Sequence, residues 1–326
     1  MRDLQYPAYG ATETARLAIP AAANMCLAGV YVFLNCFQLF FLPLVLLPRS
    51  MGWSLALIPL ALLNNSLWAL IHEAIHGQFS VTRSVNAALG RLLSLFFGSS
   101  FEVLRWSHLS HHKFNRTLTE QGTEVYDPQA ASRLSATVKF YLQIFGGLYL
   151  MEALTPLAFL LPRALLRQQR PAELGPGSGQ REWLLRNLLA DETVQEIRID
   201  GLALLVIFGL VLVCYQEHWR LLAAFLMVRA FCISFLDNVY HYAAPMGATI
   251  SGYNLRLPWI VSRALLHFNL HGVHHRYQSL PWSHLPQVFA QRRETYDYNY
   301  VTAALRQLGG PLPLSQVSAG QTTKAK

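Results

Sequence analysis

Residues 53–76 read WSLALIPLALLNNSLWALIHEAIH, in which an apolar run from Trp53 to Ile71 leads directly into His72 and His76. An α-helix needs about 20 predominantly apolar residues to cross the hydrocarbon core of a bilayer, so this run is long enough to span a membrane. Residues four apart share one face of a helix, and His72 and His76 can therefore bind the same metal ion. The stretch predicts a transmembrane helix that ends in a pair of metal ligands.

The apolar segments around this stretch predict two transmembrane helical hairpins. Leu17–Leu47, which few polar residues interrupt, forms the first hairpin together with residues 53–71. Gly201–Tyr215 and Leu221–Leu236 form the second hairpin, and each of these short arms needs residues of the intervening tip to complete a span. We therefore expect an all-α integral membrane protein.

Two further apolar segments are predicted to be interfacial helices rather than spans. Residues 87–104 carry Arg91 and Glu102, which suits a helix lying at the membrane surface. Residues 140–161 are long enough to cross, but a single crossing there would place the histidines before and after it on opposite faces of the membrane. Because those histidines must meet to act together, we expect residues 140–161 to be peripheral or re-entrant.

Composition favours a membrane protein and excludes other classes. Of the 326 residues, 53% are hydrophobic and 13% are charged, whereas soluble domains carry roughly 25% charged residues. These values exclude a disordered chain and disfavour a soluble two-domain enzyme. The net charge of +8 would suit nucleic-acid binding in a soluble protein, but the sequence has neither a basic stripe interleaved with aromatic residues nor a nucleic-acid motif.

The basic residues predict which face of the membrane the histidines occupy. All but three of the 26 Lys and Arg residues lie on the histidine side; the exceptions are Arg49 and Arg220 on the outer turns and Arg229 within a span. Lys and Arg accumulate on the cytoplasmic loops of membrane proteins. We therefore expect a histidine-rich cap that faces the cytoplasm, on a multi-pass protein of the cell's inner membrane.

Residues 1–326 are expected to form a single membrane-embedded domain, because the sequence contains no repeat and no separate soluble segment. Residues 1–16 form a polar N-terminus that lacks the order of regions typical of a signal peptide. Residues 313–326 form a polar tail that we expect to be disordered.

Histidines are concentrated in four clusters at the ends of apolar segments. Two clusters have the spacing HxxHH, in which the first and last histidines share a helix face and the two adjacent ones point about 100° apart. One cluster can therefore supply ligands to two metal ions. Imidazole binds Fe, Cu, Ni and Zn, so the ligand type alone does not select the metal. The nine candidate metal ligands are His72, His76, His108, His111, His112, His241, His271, His274 and His275.

These clusters resemble the histidine boxes of the integral-membrane fatty acid desaturase and hydroxylase superfamily. Residues 106–112, WSHLSHH, are similar to the middle box, and residues 267–275, HFNLHGVHH, followed by PWSHLP at 281–286, are similar to the terminal box. The similarity extends from Leu60 to Pro286. It implies two helical hairpins under a cytoplasmic cap and two iron ions held by histidines. It also implies O2-dependent attack on an unactivated C–H bond of a fatty acyl or alkyl chain.

The resemblance favours fatty acid desaturation as the reaction. Hydroxylation of a fatty acid or alkane, and oxidative decarboxylation to a terminal alkene, remain alternatives. The sequence has no haem signature of a fused cytochrome, no P-loop and no dinucleotide-binding GxGxxG. We therefore expect electrons from an external donor, namely a ferredoxin, a rubredoxin or a cytochrome with its reductase.

Residues beyond the ligands are expected to orient them, because ligand histidines usually donate their second ring N–H to an acceptor. Asp237, which lies one helical turn before His241 where acyl-CoA desaturases have Asn, is the preferred candidate, and the alternative is that it pairs with Arg229. Asn238 and His267 are further candidates for this supporting role. The other candidate acceptors are Glu102, Glu120, Glu124, Asp127 and Asp297.

Two rival functions follow from parts of the pattern. His72-Glu73-Ala74-Ile75-His76 fits HExxH, in which two histidines bind zinc and Glu73 acts as the base of an intramembrane protease. That interpretation leaves seven of the nine clustered histidines without a role. A metal transporter or a bis-histidine haem protein would place its ligands within the spans, whereas here they follow the apolar segments.

Overall fold

The computed structural model describes residues 17–118, 120, 124–168 and 179–318. Residues 1–16, expected to be a polar N-terminus, lie outside the described part. Within that part the protein is mostly helical, and the strands are two residues long and form two parallel pairs. The strands are β1 (Val125–Tyr126), β2 (Leu255–Arg256), β3 (Tyr298–Asn299) and β4 (Leu312–Pro313), with β1 beside β4 and β2 beside β3.

α-Helices make up most of the described part of the chain. In the first half of the chain they are α1 (Ala21–Cys36), α2 (Leu57–Ile75), α3 (Arg83–Phe97), α4 (Phe101–Phe114), α5 (Arg133–Leu142), α6 (Leu148–Ala158) and α7 (Arg163–Gln168). In the second half they are α8 (Gly179–Leu188), α9 (Asp191–Tyr215), α10 (Trp219–Asn238), α11 (Trp259–Ala264), α12 (His271–Arg276), α13 (Leu285–Gln291), α14 (Tyr300–Arg306) and α15 (Leu314–Ser318). Segments of π-helix occupy Phe37–Leu46 and Gln143–Gly147, and 3-10 segments occupy Met51–Ala56, Gln216–His218, Trp282–His284 and Gln307–Gly309.

Three helical stretches are long and apolar enough to cross a membrane: Ala21–Leu46, Met51–Ile75 and Asp191–Asn238. The bounds of the first two agree with the predicted spans to within four residues. Large apolar side chains on these stretches face outward, and Phe33 and Leu55 are each 67% exposed. Extensive exposed apolar surface marks a membrane or partner contact rather than a surface in water, so the described fold is that of a membrane protein.

A sharp bend replaces the single interfacial helix predicted over residues 87–104. α3 ends at Phe97 and α4 begins at Phe101, and the two helices are bent by 98°. Gly98 ends α3 in the left-handed conformation with φ 97°, where a Cβ would lie 2.7 Å from the Tyr149 hydroxyl oxygen. Glycine is favoured here by both the backbone angle and the close contact. The bend directs α4, with its three histidines, away from α3, and the pair could together form a fourth, broken span.

Residues 140–161, predicted as one peripheral or re-entrant helix, belong to three consecutive pieces. α5 runs into the π-helical segment Gln143–Gly147, where Gly146 has φ 132°, and α6 follows. This π-helical segment interrupts the α-helix. This segment is absent from the candidate spans found in the described part of the chain.

α9 and α10 meet at a tight turn in which Gln216 has φ 43°. Tyr215 before this turn and Leu222 after it pack into one apolar cluster with Leu39 and Leu60. The turn therefore lies against the end of the first pair of apolar helices.

α9 begins ten residues earlier than the predicted arm Gly201–Tyr215. Its additional turns carry Asp200, which is 1% exposed. Ser100 donates a hydrogen bond to the Asp200 carboxylate at 2.7 Å, and Arg91 forms an ion pair with it. The pairing of this buried carboxylate allows the helix to continue past the predicted boundary.

The tail after residue 312 is partly ordered, so the expected disorder of residues 313–326 is wrong for residues 313–318. Pro313 pairs with Tyr126, and α15 follows with Val317 buried against Met246. A parallel pairing with a strand almost 190 residues earlier gives no local sequence signal. Residues 319–326 lie outside the described part.

Candidate metal centre

Five imidazoles from three helices form a first group. His72 lies in the last turn of α2 and His76 directly follows that helix, His108 and His112 lie on α4, and His274 lies on α12. Their candidate ligand nitrogens all lie within 4.8 Å of one another. The Nε2–Nε2 distance is 3.0 Å between His72 and His274 and 2.9 Å between His108 and His112.

Four imidazoles form a second group beside the first. His111 comes from α4, His241 from the turn after α10, and His271 and His275 from α12. The Nε2 atom of His241 lies 3.1 Å from that of His111 and 2.9 Å from that of His271. His271 and His275 are 3.0 Å apart at the same atoms.

The two HxxHH segments each contribute to both groups. His111 and His112 are adjacent on α4 but point into different groups, and His274 and His275 do the same on α12. A rotation of about 100° per residue separates adjacent side chains on a helix, whereas residues four apart stay together. The local helical geometry thus divides the six histidines of these two segments between the two groups.

The donor set of the second group fits a metal cation. Three Nδ1 atoms lie near acceptors that hold an N–H there: His111 near Glu120 at 3.3 Å, His241 near the Ser251 carbonyl at 3.2 Å and His275 near the Thr249 carbonyl at 3.4 Å. A neutral imidazole carries one N–H, so its Nε2 then presents a lone pair. Lone pairs that converge at these distances repel one another unless a cation lies between them.

Burial favours the neutral form of His76, His241 and His271. Loss of solvation lowers the pKa of His76 to about 4 and lowers the pKa values of His241 and His271 well below their usual range. Neighbouring imidazoles lower the pKa values of His241 and His271 further. Neutral imidazole is the form that ligates metals, so these side chains need not lose protons to bind an ion at neutral pH.

Of the acceptors proposed from sequence, Glu120 contacts a clustered histidine. Its carboxylate also accepts the backbone N–H of Arg116 at 3.1 Å, which fixes its position beside His111. The remaining candidates bond elsewhere: Glu102 to Arg105, Glu124 to Arg116, Asp127 to the Gln129 N–H and Asp297 to the Asn254 N–H.

Asp237, Asn238 and His267 occupy different surroundings. Asp237 and Asn238 line the cavity beside the histidines, and Asn238 donates a hydrogen bond to Gln307 at 2.9 Å. No hydrogen bond joins Asp237 to a clustered histidine among the described residues. His267 lies outside both groups, with its Nδ1 atom 2.9 Å from the Ser262 hydroxyl.

Sequence reasoning missed Asn115, which positions the backbone acceptors of the second group. Its amide group donates to the Thr249 carbonyl at 2.9 Å and to the Ser251 carbonyl at 2.7 Å. These are the carbonyls that face His275 and His241. The sequence signal for Asn115 was its position three residues after His112. The loop that its amide group holds, which contains Thr249 and Ser251, is distant in sequence.

Glu73, the central acid of the HExxH pattern, supports the fold instead of facing the cavity. Its carboxylate accepts the Trp282 backbone N–H at 3.0 Å and is 3.9 Å from His72 Nδ1. The Trp282 indole donates to Asn24 at 2.9 Å, which connects the region after α12 to α1. The Glu73 carboxylate is thus held outside the cavity lining, which disfavours the zinc-protease interpretation of HExxH.

A cavity of about 490 Å³ opens beside both groups of histidines. The histidines that line it are His108, His111, His241 and His271. Its apolar lining consists of Trp68, Leu148, Met151, Leu184 and Phe268. Its other polar lining consists of Ser107, Ser110, Asn115, Arg116, Glu120, Glu124, Gln143, Glu152, Gln180, Asp237 and Asn238. The volume is typical of small-molecule sites, which span roughly 300–1,000 Å³.

Fold and site together define a helical membrane protein with a two-part, histidine-lined site that can bind metal. Residues 49–305 match the family model for fatty acid desaturase, and the chain belongs to this family. It is also similar to the sphingolipid delta(4)-desaturase of Drosophila melanogaster, with 24% identity over 264 residues that cover 76% of this chain and 70% of that protein. No solved structure matches the chain significantly. The protein is thus an oxidoreductase of lipid metabolism, and its family implies an acyl-lipid substrate.

Proposed function

We propose that the protein desaturates an acyl chain with O2, using two iron ions held by its nine clustered histidines. The observation that carries this proposal is the convergence of two imidazole groups beside one cavity in a chain of the fatty acid desaturase family. His72, His76, His108, His112 and His274 would hold one ion, and His111, His241, His271 and His275 would hold the other.

The proposed reaction balances with an external reductant. Two hydrogens leave adjacent carbons of the acyl chain, and one O2 is reduced to two waters with two further electrons and two protons. When bound, the iron pair supplies the redox chemistry. The electrons come from a ferredoxin, a rubredoxin or a cytochrome with its reductase, because the sequence carries no second redox motif.

The protein's own groups would orient the ligand imidazoles. Glu120 and the carbonyls of Thr249 and Ser251 hold N–H groups on the far side of three imidazoles, which fixes ring direction and increases ligand basicity. Asn115 keeps the two carbonyls in place. Asp237, Asn238 and His267 are assigned supporting roles around this centre, and Asp237 is the member of this set on which turnover depends most.

The membrane arrangement belongs to the same proposal. Two transmembrane hairpins, Ala21–Ile75 and Asp191–Asn238, would carry one membrane-embedded domain over residues 1–326, with the histidine cap facing the cytoplasm in the inner membrane. The close packing of Tyr215 and Leu222 with Leu39 and Leu60 supports this arrangement, because it brings the outer ends of both hairpins together.

Cysteine labelling tests this topology. Cysteines introduced at Ser50 and Glu217 should react with a membrane-impermeant maleimide from outside the cytoplasm, in a chain whose four native cysteines are replaced. A cysteine at the exposed position Gln129 should react from the cytoplasmic side alone and serves as the matched control. Labelling of the Ser50 and Glu217 positions only from the cytoplasm would contradict the arrangement.

Product analysis tests the reaction. Cells that express the protein should accumulate an unsaturated lipid, detected by mass spectrometry of total lipids and of volatile hydrocarbons, and growth without O2 should abolish it. A chain with His112→Ala provides the inactive control. Accumulation of a hydroxylated lipid would show that the reaction is hydroxylation, and accumulation of a terminal alkene would show that it is decarboxylation. The absence of any oxidised lipid from iron-loaded protein would refute the proposal.

A further inference from the structure

The loop of residues 249–254 lies against the second group of imidazoles. Its Ser251 carbonyl oxygen is 3.2 Å from Nδ1 of His241, and its Thr249 carbonyl oxygen is 3.4 Å from Nδ1 of His275. These two histidines come from different parts of the fold, the turn after α10 and helix α12. One short segment of backbone therefore determines the direction of imidazoles that are distant in sequence.

Gly252 allows the loop to lie directly against two ligand rings. A Cβ added at this position would be 3.2 Å from Cδ2 of His275 and 3.3 Å from Cδ2 of His271. Both distances are shorter than ordinary van der Waals contact, so the rings or the loop would have to move by a few tenths of an ångström. In imidazole Cδ2 is bonded to Nε2, and the Nε2 atoms of His271 and His275 lie 3.0 Å apart. The absence of a side chain at Gly252 thus permits the observed position of these two nitrogens.

A second glycine makes the same close approach from the side of the helix. A Cβ added at Gly272, in the first turn of α12, would be 2.6 Å from the Gly252 carbonyl oxygen. The loop and the helix therefore approach with backbone against backbone, which glycine allows because it has no Cβ. Movement of the loop would be passed directly to the helix that carries three of the clustered histidines.

Hydrogen bonds from Asn254 hold the end of the loop on α12. Its side-chain oxygen accepts the Val273 backbone N–H at 3.0 Å. Its backbone N–H donates to the Asp297 carboxylate at 2.8 Å, and the Asp297 backbone N–H donates to the Asn254 carbonyl at 2.8 Å. Asn254 is 2% exposed, so water does not compete for these bonds. Asp297 thus fixes the residue that joins the loop to α12.

We propose that Gly252 and Asn254 are positioning residues for the second group: through them the loop fixes the separation and direction of its imidazoles, and so determines the affinity and coordination geometry of the ion that this group binds. The inference rests on the proposed function for the presence of two ions. A shift of a few tenths of an ångström is large for such a site, because metal–ligand distances are held to within about 0.2 Å. In the described part of the chain no hydrogen bond joins the loop to the imidazoles of the first group, so we expect the effect to be confined to the second ion.

Cobalt binding measures this effect without depending on turnover. Metal-free full-length protein in lipid nanodiscs is titrated with Co²⁺, a divalent ion that imidazole also binds and whose visible absorption depends on its coordination geometry. The parent protein should bind two ions, and His275→Ala should identify the binding step that belongs to the second group. Gly252→Ala should weaken that step about 10–100-fold, the usual effect of changing a group that supports metal ligands, and should alter its absorption. The step that belongs to the first group should be unchanged.

A matched glycine substitution controls for the added methyl group. Gly209→Ala makes the same change on α9, where the new Cβ would meet no atom within 4 Å, and should leave both binding steps and their absorption unchanged. Gly252 does not have a left-handed backbone conformation, so alanine there alters the contact with the rings rather than the backbone angles. The melting temperature of metal-free Gly252→Ala should therefore stay close to that of the parent protein.

Two substitutions of Asn254 test the connection to α12. Asn254→Ala removes the acceptor of the Val273 N–H and should weaken the second binding step to a similar extent. Asn254→Asp keeps an oxygen at the same place and should restore most of the affinity. An Asn254→Asp protein that binds the second ion as weakly as Asn254→Ala would show that this hydrogen bond does not position the ligands.

The remaining outcomes separate the inference from the proposed function. Unchanged affinity and absorption of the second ion in Gly252→Ala would overturn the inference, and so would equal weakening of both ions. A parent protein that binds two ions, of which the second is sensitive to Gly252→Ala, but that oxidises no lipid would refute the proposed function and retain the positioning role. A parent protein that binds no ion in the second group would refute both.

Discussion

Replacing His275 with Ala should reduce the bound iron from close to two ions per chain to close to one and abolish turnover. His275 is 1% exposed and its Nε2 lies 3.0 Å from that of His271, within a group of four imidazoles. Three neutral ligands hold an ion far less tightly than four, while the five imidazoles of the first group remain intact. Metal analysis of purified protein measures the first effect and lipid mass spectrometry the second.

The same measurements on two further variants distinguish a specific loss of metal binding from a general loss of folding. His112→Ala should weaken metal binding in the first group and abolish activity, whereas His218→Ala, in the turn between α9 and α10 and outside both groups, should retain iron and activity. All three proteins should still insert into the membrane. A parent protein with one zinc per chain and full activity, or a His275→Ala protein that keeps both irons, would contradict the proposed centre.

The division of the HxxHH histidines between two sets is predictable from sequence because it depends on local geometry. Residues four apart on a helix share a face and adjacent residues do not, so HxxHH alone separates His111 from His112. The apolar runs likewise fix the approximate bounds of the candidate spans, because span length is set by the thickness of the bilayer.

Features that depend on distant parts of the chain are not predictable in this way. Asn115 acts on the carbonyls of Thr249 and Ser251, more than 130 residues later, and nothing near Asn115 in sequence indicates that contact. Glu73 fits the HExxH pattern locally, yet its carboxylate is bound by the Trp282 backbone N–H. A motif gives the side chains available on a helix, whereas the tertiary fold decides which groups they meet.

Asp237→Ala is expected to reduce turnover by roughly 10–100-fold, the usual range for residues that support metal ligands, while most of the iron is retained. Asp237 lies near the end of α10, one helical turn before His241, and lines the same cavity as His111 and His271. From there its carboxylate can orient a histidine or a metal-bound water without itself binding the ion. Asp237→Asn should have a smaller effect, because the amide oxygen still accepts a hydrogen bond. Asp191→Ala, at an exposed carboxylate on α9, is the matched control and should leave turnover unchanged.

Measuring iron content and turnover together distinguishes the supporting role of Asp237 from its alternatives. The simplest alternative, an ion pair between Asp237 and Arg229, does not occur among the described residues. Arg229 instead donates to the Phe96 carbonyl at 2.8 Å and lies over the rings of Phe97 and Tyr149. Substitution of Asp237 should therefore leave the packing of Arg229 and the thermal stability of the protein nearly unchanged. Unchanged turnover in Asp237→Ala would show that the carboxylate has no role in catalysis. Loss of both irons would show that metal binding requires this carboxylate directly. Either result would contradict the supporting role.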